Sequence, residues 1–202
     1  MMMTKVLGVI VAAGLLSACG GGNWKTDYQP LDPAITKNWT VRDVTVAVPA
    51  ALTTSEENSY EPNFDIVWHG EPYGDRKAQV ARIVDDGVTA GTRALRGPKP
   101  VTIGLTLVQF HALTPKTRYS LENSGVHNIK YMAQVFDAKG APLTEPQLIQ
   151  ADLIGLVGKQ GDEADRKGWT QKIQIQQHLA AVTAGWLGTG PDNRGGFNRL
   201  GR

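Results

Sequence analysis

The sequence contains one cysteine, so no disulfide can close within the chain. It contains four histidines, at positions 69, 111, 127 and 178, and no two of them share helical ligand spacing. A metal site would have to gather ligands from distant segments, and surface or core histidines are the plainer reading. No metal and no cofactor is expected. A Gly-x-Ser-x-Gly nucleophile elbow is missing, and so are the glycine loops that cradle phosphates. The paired carboxylates Glu56-Glu57 and Asp85-Asp86 read as a solvated loop and a helix face, so no enzyme is expected. Charge of one sign is not in excess, with 21 Lys plus Arg against 19 Asp plus Glu. That balance excludes general attraction to nucleic acid or to anionic lipid. Nor is there an apolar run of the ~20 residues that a membrane-spanning helix needs.

What the chain does have is concentrated first at its N-terminus. Lys5 is followed by the short apolar run Val6 to Leu16, and then by Leu16-Ser17-Ala18-Cys19-Gly20. A cation, a short apolar stretch and small residues before a cut form an export signal. Leu16-Ser17-Ala18-Cys19 resembles the bacterial lipobox. That resemblance implies a diacylglycerol thioether on the Cys19 thiol and cleavage between Ala18 and Cys19. Gly20, where an aspartate would retain the protein at the inner membrane, implies the periplasmic face of the outer membrane. Acyl chains contribute ~0.8 kcal/mol per buried methylene, so two or three make a stable anchor. The expected organisation is a signal peptide over 1–18, a lipidated tether and extended lead-in over 19–40, one domain over 41–187 and a disordered tail over 188–202.

Within the domain, Val44, Val46 and Val48 alternate with polar or small residues as a half-buried strand, and Phe64, Ile66 and Trp68 suggest a second. A helix is predicted from about Arg76 to Leu95, with Asp75 as N-cap. Its apolar stripe includes Gly87 and Gly91, although a helical glycine costs roughly 1 kcal/mol relative to alanine. Such glycines imply close approach, either to a sheet or to a partner helix. Strands follow over Val101–Phe110, His127–Phe136 and about Gln147–Val157, the last two joined by the turn Asp137–Gly140. Residues 158–168 read as a charged loop. A final helix, about Thr170 to Leu187, puts Ile175, Leu179, Val182 and Trp186 on one face. The expected fold is α+β: a mostly antiparallel sheet of four to five strands, two helices packed on one face, in the order β-β-α-β-β-β-α.

The segment 58–76 sets Tyr60, Phe64, Trp68 and Tyr73 among Glu61, Asp65, His69, Glu71 and Arg76, with Pro62 and Pro72 stiffening the backbone. Aromatics beside polar groups on stiff loops suit recognition of a partner or glycan surface. The competing reading makes Phe64 and Trp68 core residues of a strand and Tyr73 a cover for a helix start. Tyr60, Phe64, Trp68, Tyr73 and Arg76 are the candidate partner-binding residues. The arginines at 194, 199 and 202 either meet anionic lipopolysaccharide or cell wall or keep a tail soluble.

The runs Trp39 to Val48 and Tyr60 to Val80, with Phe110-His111 and Gly125-Val126-His127, together resemble an uncharacterised family of alphaproteobacterial envelope lipoproteins. The resemblance covers nearly all of the mature chain and implies location without an activity. The leading expectation is a non-enzymatic accessory lipoprotein, bound to lipid through acylated Cys19 and to an envelope protein partner. The alternative is a periplasmic binder or carrier of a small apolar or lipid ligand.

Overall fold

The computed structural model describes residues 23–199. Ala18, Cys19 and the signal and tether assigned to them lie outside the described residues. The elements run β1 (Asn23–Asp27), α1 (Pro33–Thr36), β2 (Trp39–Ala47), β3 (Thr54–Ser55), β4 (Ile66–Val67), α2 (Arg76–Gly91), β5 (Lys99–His111), α3 (Pro115–Ser120), β6 (Val126–Asp137), β7 (Gln147–Ala151), β8 (Leu153–Ile154), α4 (Gly158–Arg166), α5 (Gln171–Trp186) and β9 (Gly195–Asn198).

The class is α+β, but the expected count of four to five strands and two helices is corrected. Among the described residues there are nine strands and five helices, in a mixed and mostly antiparallel sheet. The additional strand β3 is two residues long, too short to carry an alternating pattern. The strand expected around Ile66 shrinks to the two residues of β4, and the one expected over Gln147–Val157 divides into β7 and the two-residue β8. The outer strands β1 and β9 come from polar and glycine-bearing stretches that read as flanks. The segment taken for a charged loop holds α4.

β5 is central. It pairs antiparallel with β6, and its other edge takes β2 and then β4, both parallel. The connection from β2 to β5 runs through α2, as parallel neighbours require. β6 and β7 pair antiparallel, with Tyr131 opposite Ile149, as the Asp137–Gly140 turn predicts. Asp137 Oδ1 fixes that turn by accepting the amide N–H of Lys139 at 2.8 Å and of Ala141 at 2.9 Å. β1 then joins β7 on one side and β9 on the other, both antiparallel.

Period-2 burial along β5 and β6 creates the core. Val101, Ile103, Leu105 and Leu107 of β5 and Ile129, Tyr131, Ala133 and Val135 of β6 are buried, whereas Thr106 and Val108 are exposed. Against that inner face lie Val80, Ile83, Val84 and Val88 of α2 and Ile175, Leu179, Val182 and Trp186 of α5. The space between sheet and helices is filled by these side chains. Asp75 caps α2 by accepting the Ala78 N–H at 3.0 Å, and Thr170 caps α5 by accepting from Ile173. The two glycines of α2 face α5, not the sheet. A Cβ on Gly91 would lie 2.5 Å from the Ala180 carbonyl oxygen, and one on Gly87 would lie 2.8 Å from Leu179 Cβ. Of the two readings the sequence allowed, the helix partner is the observed one.

Candidate functional site

The segment between β3 and α2 has little regular structure of its own, and side chains pin it instead. Asp65 accepts both the N–H and the hydroxyl of Thr53, each at 2.7 Å, and these bonds hold its carboxyl below the usual range. The carbonyl of Pro62 meets His111 Nε2 at 2.8 Å. Hydroxyls at the start of α3 reach back to the same segment, Thr114 to the Ser59 carbonyl and Thr117 to the Tyr60 carbonyl. At its far end Arg76 forks onto Glu56, with Nε–Oε1 2.6 Å and NH2–Oε2 2.9 Å. The same guanidinium donates to the carbonyls of Glu71 and Pro72 and to Gln79 Oε1. The pair raises the Arg76 pKa and lowers that of Glu56. Five donors in a planar fork suit one residue to tying together a loop this irregular.

Five residues of this segment were candidates for partner contact, and the fold separates them. Tyr73 is 85% exposed, Tyr60 47% and Phe64 37%. Lys116 Nζ stands 4.4 Å from the Tyr60 ring centroid and the Arg76 guanidinium carbon 5.9 Å from that of Tyr73. Both are cation–π distances. Trp68 and Arg76 turn inward. Trp68 is fully buried and meets Phe110 edge-on with ring centroids 5.9 Å apart. Phe64 does not share its burial, although both residues lie outside β4, which is only Ile66 and Val67.

Beside this loop lies a cleft of about 310 Å3. One wall is His69 and Gly70, and a second is Pro115, Arg118 and Tyr119 of α3. Asp165 of α4 and the first turn of α5, Thr170 to Lys172, complete it. Arg118 is 1% exposed and binds Asp165 bidentately, Nε–Oδ2 3.1 Å and NH2–Oδ1 2.8 Å, while NH1 donates to the Leu156 carbonyl at 2.9 Å. Tyr119 donates its hydroxyl to the same carboxylate at 3.2 Å. Glu71 joins the loop to α5, accepting from Trp68 Nε1 at 3.0 Å and from Lys172 Nζ at 2.9 Å. Burial pushes the Glu71 pKa up, but the bonds from Lys172 and Trp68 outweigh it and leave it lowered. Burial also lowers the pKa of His69, against an opposing pull from Glu56.

Arg118, Tyr119, Asp165, Gln171 and Lys172 were not singled out from the sequence. They come from separate elements, and no spacing along the chain connects them. The remaining histidines are structural. His127 is fully buried, and burial lowers its pKa to about 3. His178, with a pKa lowered by burial to about 4, meets the Thr26 hydroxyl at 3.2 Å. Among the described residues no cluster of three or more His, Cys, Asp or Glu could hold a metal ion. Also among them, no helix is long and apolar enough to cross a membrane.

Several solved structures are similar to this chain, two of them as follows. One is the PelC dodecamer from Paraburkholderia phytofirmans, at 12% identity and a TM-score of 0.32, covering 83% of this chain and 98% of that one. The other is a minor lipoprotein from Acinetobacter baumannii, at 13% identity and a TM-score of 0.32, covering 70% of this chain and 87% of that one. No curated protein matches the sequence. A family model matches residues 39–202, most of the chain, and the chain therefore belongs to that family, a family of unknown function (DUF6778).

Proposed function

We propose that this protein is a lipid-anchored accessory protein of the bacterial envelope. It is held through acylated Cys19 at the periplasmic face of the outer membrane and docks onto a larger envelope protein without catalysing a reaction. The observation that carries the docking role is the outward display of Tyr60, Phe64 and Tyr73 on a segment tied down by Asp65, Arg76, Thr114 and Thr117. Aromatic side chains on a backbone that is already ordered lose little entropy on association, which makes them effective anchors. The anchor itself rests on the order of cation, short apolar run and Leu16-Ser17-Ala18-Cys19. A non-catalytic role accords with the use of the polar groups, since Arg76, Arg118 and Glu71 hold elements together.

A photo-crosslinking residue at position 60 or 73, introduced in intact cells, is expected to trap one discrete envelope protein. The same residue at Leu148, which is half-exposed on the sheet, should not. Cys19→Ala should abolish incorporation of a fatty-acid analogue and lose the crosslink. Identical adducts from positions 60, 73 and 148, or fatty-acid label retained on Cys19→Ala, would sink the assignment.

A further inference from the structure

The two ends of the described chain meet in one ladder, and its register decides which way each end leaves. Asn23 of β1 is opposite Asn198 of β9, and Thr26 is opposite Gly195. The strands are antiparallel, so the chain leaves β9 on the side from which it enters β1. Cys19 is four residues before Asn23, so this is the Cys19 side of the ladder. Arg199 stands just past the last pair, and its carbonyl accepts the Trp24 indole N–H at 3.2 Å.

The same register sorts the charges. Residues 19–27 and 192–202 together contain Lys25, Arg194, Arg199 and Arg202 against Asp27 and Asp192. Lys25 is paired with Asp27 and Arg194 with Asp192, each at 2.6 Å. Both carboxylates lie at the far end of the ladder, since Asp27 follows Thr26 and Asp192 precedes Gly195. These segments leave no acidic residue for Arg199, which makes no ion pair among the described residues, or for Arg202 three positions later. The surplus cations are the two that come after the ladder, on the side of the proposed anchor.

A balanced net charge gives the whole protein no pull toward an anionic surface, but an attached chain needs none. Four residues from the acyl chains, the open end of the ladder stays within about two of the ~8 Å lengths over which a charged surface is felt at physiological salt. An arginine near such a surface is worth about fivefold in an equilibrium constant, and its planar fork matches phosphate. Two arginines would not hold a free protein there. On a chain already attached the encounter is intramolecular, and the same small factors decide which margin faces the bilayer. Trp24, directly opposite Phe197, adds a residue type that settles at headgroup level.

We infer that the open end of the β1–β9 ladder is a second membrane contact, Arg199 and Arg202 pairing with the phosphates of anionic phospholipid beside the acyl anchor. The inference rests on the acylation of Cys19 proposed above and adds to it a lipid class and an orientation.

The test uses the full acylated chain in vesicles of phosphatidylcholine, alone or mixed with phosphatidylglycerol. Cys19 is the only cysteine in the sequence and acylation consumes it, so an added cysteine carries the only nitroxide. One protein is labelled through Asn198→Cys and another through Glu57→Cys, both at exposed positions. Glu57 follows β3, at the opposite end of the strand order from β9. Phosphatidylglycerol should reduce collisions of a water-soluble nickel chelate with the label at 198 and leave those at 57 unchanged. Arg199→Gln and Arg202→Gln should each lower the ratio of sheltered to exposed label about fivefold, and together they should abolish the lipid dependence. Arg202→Gln, beyond β9, supplies the reading if the change at 199 disturbs the strand. Equal nickel access on the two vesicle types, or shelter that survives in the double variant, overturns the inference while leaving the anchor intact. A chain that does not float with the vesicles fails at the anchor instead, and the inference falls with it.

Discussion

Gly87 and Gly91 are where the backbone of α5 leans on α2. The carbonyl oxygens of Gln176 and Ala180 would lie 3.0 and 2.5 Å from a Cβ built at these two positions. Alanine at either site gains roughly 1 kcal/mol of helix propensity, yet overpacking typically costs ~1–3 kcal/mol. At Gly91 the crowding atoms are backbone and Thr183 Cβ, neither of which can swing away. Gly91→Ala is therefore expected to lower stability despite the better helix former, Gly87→Ala less so, and Thr89→Ala on the exposed face least. Urea midpoints in that order check the packing, and equal midpoints would refute it. His127 sets a second expectation at this scale. Its ring is fully buried with neither nitrogen bonded, and the charges facing it are Arg118, His178 and His111. Its pKa is about 3 when folded and near 6.5 when unfolded, so below pH 6.5 the unfolded chain binds the extra proton. Stability contributed by the neutral ring is full above pH 6.5 and is lost as pH falls toward 3, by ~1.4 kcal/mol per unit. His127→Leu should flatten the stability profile between pH 6 and 4. Parallel profiles for the two proteins would assign the acid sensitivity to other groups, His178 first.

β1 and β9 join the two ends of the described chain. Asn23, Trp24, Lys25 and Thr26 pair with Asn198, Phe197, Gly196 and Gly195, while only Thr26 and Asp27 pair with β7. The buried Asp152 adds three bonds: its carboxylate accepts the Lys25 N–H at 3.1 Å, its own N–H donates to the Lys25 carbonyl at 3.2 Å and its carbonyl accepts the Thr26 hydroxyl at 3.2 Å. Tyr28 closes the arrangement, its hydroxyl accepting the Asn193 N–H at 3.0 Å. Truncation after Arg194 should therefore remove hydrogen-exchange protection from Trp24, keep it at Lys25, whose N–H goes to Asp152, and leave β5 and α2 protected. Unchanged protection at Trp24 would mean that Asp152 and β7 suffice. This pairing shows what sequence alone could and could not disclose. The two long helices were legible because their stripes repeat and Asp75 and Thr170 cap them, and β5 and β6 because each alternates over ten residues or more. Nothing in Gly195–Asn198 announces a strand; its partner lies at the other end of the chain, and glycine disfavours the conformation. The cleft was hidden for the same reason. Arg118 looks like any surface arginine until α3 and α4 enclose it around Asp165. His69 stood in a segment already marked for its aromatics, so part of that neighbourhood was legible, but Gln171 carried no signal.

At the scale of the whole molecule, the sheet order has a mechanical meaning. β1 stands between β7 and β9 toward one margin, and β4, which leads into the aromatic loop, stands four strand steps away. At ~4.8 Å per step that separation is ~19 Å. Were the chain attached at Cys19, as proposed, the four residues to Asn23 would span at most ~14 Å even if drawn straight. On that proposal the β1–β9 margin would be leashed to the bilayer surface, whereas Tyr60 and Tyr73 would travel on the free end of the arm. On the proposed anchoring the protein would work as a short crane, its foot at the lipid and its jib sweeping the water beyond. A protein recruited in the proposed way would be met in that water and not within the membrane.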